Sequence, residues 1–541
     1  MSVHVNQVGY CTNMPKKAVI TGNGERCMLL NAKDIHPEPI IPTLGELRYD
    51  ASSGDTVRVV DFSQVTEPGE YFLFADGGKM NVRITDRPYH ELTNALLKGM
   101  YYQRCCELRE EHAGVYKHAL CHDKLAKGLD DDNIQLEISG GWHDAGDYGR
   151  YIVPGAVAVS HMMYAYELFP NAFKDELNIP ESGNGVPDVL NESRYELEWM
   201  LKLQREDGAL YHKATSRFFA DFVMPEDDLM DILLFDISHC ATADFAAAMA
   251  QGYRVFKSID ERFADTMLQA AKRAWVWLGE NPEFVPFQNP PNTSSGLYGD
   301  EEFEDDMFWA ACELYTATGE EQYLETIRKY AQLVTFTGFG RLAVAGLGAL
   351  NCLFINDKNL PVDFLADIRT RFIAYADASL QLSKDSGYGT AMNPEGYIWG
   401  SILHIMSNGV VLLCASLLTG KQEYEDAALT QLDYLLGVNC TGFSFVTGFG
   451  ENAFRHPHHR PSFADGIVDP VPGLVSGGPN GSNVDEEITR VFPVETTPPA
   501  KCYADYASSA SNNETAIYWN TISLLVAAYF DCRTEDLSAQ E

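Results

Sequence analysis

The sequence lacks several features that would each indicate a class of protein. It has no uninterrupted run of eighteen or more apolar residues, and its N-terminus shows no basic segment followed by an apolar block. Basic side chains are few, since 40 Lys and Arg stand against 77 Asp and Glu, a formal net charge of −37. These absences argue against a membrane span, a signal peptide and a nucleic-acid partner, because phosphate groups need basic surface. We expect a cytoplasmic protein, or a secreted one whose leader was removed.

Dense cysteine spacing and internal repeats are also absent. The 12 cysteines are scattered along 541 residues, unlike those of a small disulfide scaffold. No internal repeat supports a solenoid. Five cysteines fall in apolar helical patterns, which predicts buried free thiols and a reducing compartment: Cys240, Cys312, Cys352, Cys414 and Cys532.

The N-terminal 86 residues have the pattern of a β-sandwich. Short runs of apolar and β-branched residues alternate with turns such as Thr21-Gly22-Asn23-Gly24. At Asp86-Arg87-Pro88 the apolar period changes from two residues to about 3.6, so we place the domain boundary there, between residues 1–86 and 87–541. The predicted strands are Lys17–Thr21, Val57–Phe62, Tyr71–Ala75 and Met80–Thr85.

Twelve helices are predicted after this boundary, because apolar residues recur there at spacings of three and four. Twelve consecutive helices are consistent with six helical hairpins closed into a ring, although a bundle or a solenoid would also satisfy the count. The predicted ranges are 89–110, 154–168, 187–205, 238–256, 261–280, 303–318, 321–336, 341–355, 361–383, 398–418, 421–437 and 515–531.

A loop at residues 140–151, with the sequence GGWHDAGDYGRY, is the most informative segment. Its two leading glycines disfavour a helix, because glycine loses the most backbone entropy in one. The loop carries two carboxylates three residues apart, Asp144 and Asp147, beside aromatic side chains. A carboxylate can activate water and a flat ring can stack on a sugar, so the loop suits glycoside hydrolysis. An ordinary acidic turn is the alternative.

The same string resembles the first catalytic loop of glycoside hydrolase family 9, the cellulase-type inverting enzymes. The opening VNQVGY, followed by Pro15-Lys16-Lys17-Ala18-Val19, resembles the immunoglobulin-like module that precedes many catalytic domains of this family. The resemblance implies a multidomain protein, with a small all-β immunoglobulin-like sandwich followed by an all-α (α/α)6 barrel. We interpret the sandwich as a structural brace, since it carries no catalytic cluster.

A long loop-rich stretch at residues 438–514 contains a cluster of His and Arg, whose donors suit sugar hydroxyls. A metal site is the alternative, but no Cys or carboxylate lies within the cluster. The cluster resembles the His-rich signature of family 9, which implies substrate binding by His458 and Arg460, and also by His456.

A further signature runs from Tyr503 to Asn520, and the family resemblance makes Glu514 its general acid. This carboxyl precedes an apolar helix, where desolvation would raise its pKa, whereas a helix dipole would lower it. One departure concerns the substrate: Ala510 stands where the family usually has an aromatic residue.

Two metal sites are also predicted. Cys105, Cys121, His122 and His143 form a set typical of a closed zinc site, although buried thiols would explain the cysteines equally well by spacing alone. Zinc at matching positions in some family members favours a structural zinc that pins the catalytic loop. The acidic run around Asp300 and Asp305 resembles a calcium-binding loop of the family, and a solvated charged face is the alternative.

The expected reaction is hydrolysis of a β-glycoside with inversion. Asp147 would act as the general base on a water molecule that Asp144 helps to hold, and Glu514 would protonate the departing oxygen. This mechanism requires residues far apart in the chain to converge on one sugar linkage. Candidate stacking rings are Trp142, Trp309, Trp399 and Trp519.

The expected substrates are β-1,4-linked gluco-oligosaccharides such as cellodextrins, with no membrane or nucleic-acid partner. An exo-β-D-glucosaminidase acting on chitosan oligosaccharides is the alternative within the enzyme class, because an acidic pocket would favour an amine. A catalytically silent carbohydrate-binding protein would have lost a carboxylate, yet all three are present. A zinc-dependent hydrolase would need an open ligand position, whereas the candidate zinc set is full.

Overall fold

A computed structural model describes residues 2–76, 78–131, 133–356, 358–482, 484–493 and 495–538. Its described residues begin with short strands and continue mostly as helices. The strands of the N-terminal part are Val3–His4, Tyr10–Cys11, Lys17–Thr21, Cys27–Asn31, Thr43–Leu44, Arg48–Asp50, Asp55–Asp61, Gly69–Ala75 and Gly78–Thr85.

These strands form two sheets that enclose an apolar core. In one sheet Lys17–Thr21 pairs antiparallel with Asp55–Asp61, and in the other Gly69–Ala75 pairs antiparallel with Gly78–Thr85. Side chains alternate between core and solvent along the strands, as expected for strands buried on one face. The four predicted strands are confirmed, and the core between the sheets contains Val5, Ile20, Val60, Phe62, Leu73 and Ile84 among others.

All twelve predicted helices are present. Ser238 and Asp260 cap two of them by accepting a backbone N–H, and Gly319 ends a third in the left-handed conformation. The observed ranges are His90–Tyr102, Ile152–Leu168, Asp188–Lys202, His239–Phe256, Glu261–Glu280, Glu304–Thr318, Glu321–Tyr330, Ala345–Leu350 continuing as a π-helix Asn351–Ile355, Val362–Asp385, Ser401–Thr419, Gln422–Leu435 and Ile517–Ser538.

Helices that are buried on nearly all sides alternate with helices that expose one face. His239–Phe256 and Glu304–Thr318 are largely buried, whereas the intervening Glu261–Glu280 buries only one stripe. Ser401–Thr419 is long and apolar enough to cross a membrane by composition, but 72% of its apolar window is buried inside the protein, as in a core helix. Short helices that the sequence did not predict are Glu110–Ala113, Arg460–Ala464, Glu486–Val491 and Ala510–Asn513.

A small sheet within the helical part was not predicted from the sequence. Its order is Gln135–Leu136, Ala126–Gly128, Leu233–Leu234, Lys213–Thr215 and Arg150–Tyr151. The last two strands pair antiparallel, and Arg150–Tyr151 directly follows the GGWHDAGDYG loop. The sheet therefore fixes one end of that loop.

The chain divides into two compact units. One comprises Met1–Gly99, Ala376–His458 and Val468–Glu541, and the other comprises Met100–Tyr375 and His459–Ile467. The β-sandwich thus shares a unit with the C-terminal helices. The domain boundary at residue 86 stays a prediction.

The cysteines predicted to be buried lie in helical segments. Cys240, Cys312, Cys352 and Cys414 are buried, and Cys532 is half-buried. Their burial agrees with packing as small apolar side chains.

Candidate active site and metal centre

Two glycines shape the loop that precedes Gly149. Gly140 and Gly141 have φ angles of 92° and 75°, in the left-handed region that side-chain-bearing residues rarely adopt. A Cβ atom on Gly141 would lie 2.6 Å from the ring of Trp199. Only glycine therefore fits this position without displacing the loop.

The segment after the first helix holds the loop in place. Cys105 N donates to Gly141 O at 2.8 Å, and His143 N donates to Gln103 O at 2.7 Å. The side chain of Gln103 also donates to Ala145 O at 2.8 Å. These bonds give a reason why the helix predicted over 89–110 ends at residue 102, since the backbone beyond it pairs with the loop instead.

Trp142 belongs to this loop, and its side chain is buried, with only 1% of the residue exposed. Its indole N–H donates to Glu192 Oε1 and its backbone N–H donates to Glu196 Oε2, both at 2.8 Å. The prediction that Trp142 stacks on a sugar is wrong, because its ring is buried and has no face open to a ligand. Trp142 instead supports the loop.

Asp144 is completely buried. Its backbone N–H donates to Gly149 O at 2.9 Å, and the hydroxyl of Tyr298 donates to Oδ2. Burial raises the pKa of Asp144 to about 8, the Tyr298 hydrogen bond opposes the rise, and the charge of Asp147 adds to it. Oδ1 makes no hydrogen bond to the described protein, so it suits the binding of a water molecule.

Asp147 lies in a different electrostatic environment. Its Oδ2 accepts a hydrogen bond from Gly149 N at 3.1 Å. Burial raises the pKa of Asp147, while the cations of Arg460 and Lys213 lower it. These cations favour the ionised carboxylate that a general base requires.

Arg460 is buried beside the catalytic loop. Its backbone N–H and its Nη1 donate to Gly146 O at 3.0 and 2.8 Å, and its Nε donates to Ala220 O at 2.8 Å. Arg460 therefore fixes the residue that precedes Asp147. Direct substrate binding by Arg460 stays a prediction.

Lys213 is a buried cation on the strand that pairs with Arg150–Tyr151. Its Nζ donates to Asn289 Oδ1 at 2.7 Å and to Gly296 O at 2.6 Å. Burial lowers the pKa of Lys213 to about 7, and the charge of Asp147 opposes that fall. Lys213 therefore anchors the loop that carries Tyr298.

Glu514 follows the short helix Ala510–Asn513 and precedes the helix Ile517–Ser538, as the sequence predicted. It is half-buried, and Trp399 Nε1 donates to its Oε2 at 3.0 Å. Its carbonyl accepts a hydrogen bond from Gly477 N at 2.9 Å. Both its backbone and its carboxylate are therefore fixed within the unit.

The His-rich segment lies beside Glu514. His458 N donates to Asn513 O at 2.8 Å, and its Nδ1 lies 2.7 Å from Ala507 O. Asp505 accepts hydrogen bonds from the backbone N–H of His456 and from the Asn513 amide, each at 2.9 Å. His456 is exposed and His458 is half-buried, so substrate binding by both stays a prediction.

The remaining candidate tryptophans differ in exposure. Trp309 and Trp519 are buried, so the prediction that they stack on sugars is wrong, whereas Trp399 is 44% exposed. Ala510 is half-exposed next to Glu514, where the expected aromatic residue would have stood. The serines on either side of Ala510 bond to Asp485.

Sequence reasoning missed Tyr298 and Lys213. Tyr298 lies within the segment that was compared with a calcium loop, and its φ of 47° is rare for a residue with a side chain. Its ring packs 4.4 Å from that of Tyr151, and the Arg341 guanidinium lies 5.0 Å from it. No local pattern indicates that its hydroxyl reaches Asp144, so only the tertiary structure reveals this contact.

Four predicted metal ligands come together. One ligand atom from each of Cys105, Cys121, His122 and His143 lies within 4.8 Å of the others. The Cys105 Sγ lies 3.9 Å from Cys121 Sγ and 3.7 Å from His122 Nδ1. Ligands about 2.3 Å from a tetrahedral zinc lie roughly 3.8 Å apart, so the spacing fits such an ion.

Two further observations agree with a metal centre. His143 Nε2 is buried and makes no hydrogen bond to the described protein. The other ring nitrogen of His122, Nε2, lies 3.3 Å from Asp228 Oδ2, which is the usual orienting partner of a metal-bound histidine. The residues therefore fit a closed metal site.

The acidic run has no comparable cluster. Asp305 Oδ2 accepts from Val344 N at 2.8 Å, and Asp300 Oδ1 accepts from Glu302 N at 3.0 Å. Within the described parts of the chain, neither belongs to a close group of three or more His, Cys, Asp or Glu side chains. Calcium at Asp300 and Asp305 stays a prediction without support from this geometry.

Comparison with known proteins identifies the class. Residues 89–527 match the family model described as Glycosyl hydrolase family 9, and residues 1–80 match the cellulase N-terminal ig-like domain. The protein is thus a glycoside hydrolase with an N-terminal immunoglobulin-like module. It belongs to glycosyl hydrolase family 9. The expected fold class, an immunoglobulin-like sandwich followed by an (α/α)6 barrel, is confirmed.

Three relatives are similar to nearly the whole chain. The cellodextrinase of Butyrivibrio fibrisolvens is 38% identical over 96% of this chain and 97% of its own. The structure of AaCel9A in complex with cellobiose-like isofagomine has a TM-score of 0.91 at 33% identity, over 98% of this chain and 100% of that one. A Zn-binding triple mutant of GH family 9 endoglucanase J30 has a TM-score of 0.89 at 31% identity, over 96% and 99% of the two chains.

Proposed function

We propose that this glycoside hydrolase cleaves β-1,4-linked gluco-oligosaccharides, cellodextrins above all, with inversion at the anomeric carbon. The relatives support the substrate class, since one is called a cellodextrinase and another is a complex with cellobiose-like isofagomine. The observation that carries the mechanism is the loop at residues 140–149, which holds two buried carboxylates in different environments.

In this mechanism Asp147 takes the proton of the attacking water and Asp144 holds that water. The neighbouring cations support the ionised form of Asp147, and Asp144 has an oxygen suited to bind the water. Glu514 donates the proton to the departing oxygen, and Trp399 orients its carboxyl group through a hydrogen bond. We expect His456 and His458 to contact the sugar hydroxyls.

Substitution of the two central carboxylates tests these roles. We expect Asp147→Asn and Glu514→Gln to lower kcat on cello-oligosaccharides by about 10²–10⁴-fold, because each removes a proton-transfer group. Asp265→Asn, at an exposed position on the helix Glu261–Glu280, is the control that keeps full activity. Near-full activity in both active-site variants would show that the assignment is wrong.

The anomeric form of the first product tests inversion separately. Proton NMR of the fresh digest should show the α-anomer, because water attacks from the face opposite the departing group. A β-anomer would establish retention and would contradict the proposed role of Asp147 as a base.

We further propose that Cys105, Cys121, His122 and His143 hold a structural zinc ion. Zinc in a closed site of this kind links protein segments and leaves no ligand position for substrate. Here it would join the segment 105–122 to the loop that carries Asp144. A Zn-binding triple mutant of the similar GH family 9 endoglucanase J30 supports this proposal.

Metal analysis of the purified protein tests this second proposal. We expect one zinc ion per protein molecule in the wild type. The variant Cys121→Ser should lose the zinc and should have a lower melting temperature. Cys414→Ser, a buried cysteine outside the cluster, is the control that retains the metal. Wild-type protein without metal, or with a melting temperature that a chelator leaves unchanged, would contradict the proposal.

A further inference from the structure

Gln103, which follows the helix His90–Tyr102, makes three hydrogen bonds to the loop that carries Asp144. Its carbonyl oxygen accepts from His143 N at 2.7 Å, and its side-chain Nε2 donates to His143 O at 3.0 Å and to Ala145 O at 2.8 Å. The last two acceptors belong to the residues on either side of Asp144. Gln103 is 3% exposed, so its side chain acts on the loop and does not reach a substrate.

The amide oxygen of the Gln103 side chain faces His459, which is also buried. A carbonyl oxygen only accepts hydrogen bonds, so the amide NH2 group of Gln103 must face the two loop carbonyls and its oxygen must face away from them. Gln103 Oε1 lies 2.9 Å from His459 Nε2, which therefore carries a hydrogen and donates it. The ring N–H of His459 thus fixes the direction of the Gln103 amide.

The other ring nitrogen of His459 holds the ring in place. His459 precedes the short helix Arg460–Ala464, where its Nδ1 accepts from Ser462 N at 3.3 Å and lies 2.8 Å from Ser462 Oγ. An acceptor at Nδ1 and a donor at Nε2 together define the neutral imidazole with its hydrogen on Nε2. One buried ring therefore joins the start of this helix to Gln103.

We propose that Gln103 and His459 are a pair of positioning residues that hold Asp144 in the orientation in which it binds the attacking water. This inference rests on the proposed function. The hydroxyl of Tyr298 holds Oδ2 of Asp144, whereas Oδ1 makes no hydrogen bond to the described protein, so its direction depends on the backbone that carries it. Misplacement of a positioning group by about 1 Å can lower a rate by roughly a hundredfold.

Two substitutions of His459 separate this role from the capping of the helix. Asn places its amide where Nδ1 lies and still caps a helix, but it does not reach Gln103, whereas Gln places an N–H group where Nε2 lies. We expect His459→Asn to lower kcat on cello-oligosaccharides by about ten- to a hundredfold and to leave KM within about twofold of the wild-type value. His459→Gln should restore kcat to within about threefold of wild type.

Removal of the Gln103 amide tests the same link from the other side. Gln103→Met keeps the length of the side chain without its hydrogen-bonding groups, and it should lower kcat at least as much as His459→Asn. Because His459 acts through Gln103, the double variant should be no slower than Gln103→Met alone. Gln269→Met, at an exposed position on the helix Glu261–Glu280, is the matched control and should behave as wild type. Steady-state kinetics below the melting temperature of each variant provide the measurement.

Several outcomes would overturn the inference, and the two His459 variants decide it even if Gln103→Met does not fold. Wild-type kcat in His459→Asn, or equal losses in His459→Asn and His459→Gln, would show that the bond to Gln103 does not position the loop. A raised KM with wild-type kcat would assign the pair to substrate binding, and losses that multiply in the double variant would show independent action. Any of these results beside an inactive Asp147→Asn refutes the inference alone, whereas a fully active Asp147→Asn refutes the proposed function itself.

Discussion

At the scale of single residues, one short loop creates two different carboxylates. Asp144 is buried against the hydroxyl of Tyr298, whereas Asp147 lies within the field of two cations. The two side chains are three positions apart, so their difference arises from partners elsewhere in the chain. This division suits one group that positions water and one that accepts its proton.

Removal of the Tyr298 hydroxyl tests this division of roles. Tyr298→Phe keeps the ring contacts with Tyr151 and Arg341 but deletes the hydrogen bond to Asp144. The raised pKa of Asp144 keeps this carboxyl mostly protonated at neutral pH. A hydrogen bond between neutral groups is worth about 0.5–1.5 kcal/mol, so we expect kcat to fall by roughly two- to tenfold. Steady-state kinetics and thermal melting provide the measurement. An unchanged kcat with an unchanged melting temperature would show that this hydroxyl does not act on the reaction.

At the scale of secondary-structure elements, the small sheet links two loops of the site. The strand Lys213–Thr215 pairs with Arg150–Tyr151 at the end of the catalytic loop. From the same strand, the Lys213 ammonium reaches Asn289 and Gly296, in the loop that leads to Tyr298. This strand of three residues thus holds both the loop that carries Asp144 and the loop that carries its partner Tyr298.

Substitution of Lys213 should loosen the second of these loops. Lys213→Met keeps the aliphatic stem but leaves buried acceptors without a donor, so we expect the free energy of unfolding to fall by about 1–3 kcal/mol. We also expect kcat to fall, because Tyr298 loses its support. Urea unfolding and kinetics check both effects against Lys257→Met, an exposed lysine on the surface. If Lys213→Met matched wild type in both measurements, the anchoring role would be wrong.

At the scale of the whole molecule, the β-sandwich is bonded to the C-terminal helices of its own unit. Asn6 Nδ2 donates to the buried Asp433 Oδ1 at 2.7 Å, and Gln7 N donates to Leu436 O at 3.0 Å. Lys501 Nζ donates to Asp55 Oδ1 at 2.6 Å. Removal of one partner would leave the other polar group buried without a hydrogen bond, which costs free energy. These bonds therefore agree with the interpretation of the sandwich as a structural brace.

The buried carboxyl of Asp433 gives this junction a dependence on pH. Burial raises the pKa of Asp433 from 3.8 to about 7, and the Asn6 amide opposes the rise. The native state thus holds a proton that the unfolded chain releases, so this group's contribution to stability falls as pH rises from about 4 to 7. Between these pH values the titration of Asp433 lowers the free energy of unfolding of the wild type by up to roughly 4 kcal/mol. We expect Asp433→Asn to abolish this loss.

Urea unfolding across this pH range provides the measurement. The difference in unfolding free energy between Asp433→Asn and wild type should grow in favour of the variant as pH rises. Asp265→Asn, an exposed carboxyl on the surface, should give a difference that does not vary with pH. Parallel curves for wild type and Asp433→Asn would contradict the expected titration.

Periodicity along the chain predicted most of the elements correctly. The strand Lys17–Thr21 and the helix Glu261–Glu280 have the predicted limits, because an apolar stripe at a fixed spacing is a local property. The helix predicted to end at 110 ends at Tyr102, where the backbone turns to bond a distant loop. Strands of two or three residues carry no period of their own, so the sheet around Lys213–Thr215 was missed.

The sequence by itself determined the family, the type of each domain and the identity of the chemical groups. Local motifs, the spacing of apolar residues and the residue types are sufficient for these three conclusions. Only the tertiary structure decided which groups meet. It buried the ring of Trp142, placed Arg460 against Gly146 and Tyr298 on Asp144, and brought four separate metal-ligand candidates together. The physical reason is that burial and contact depend on partners that lie up to several hundred residues away in the chain. The spacing of residues within one segment does not identify these partners.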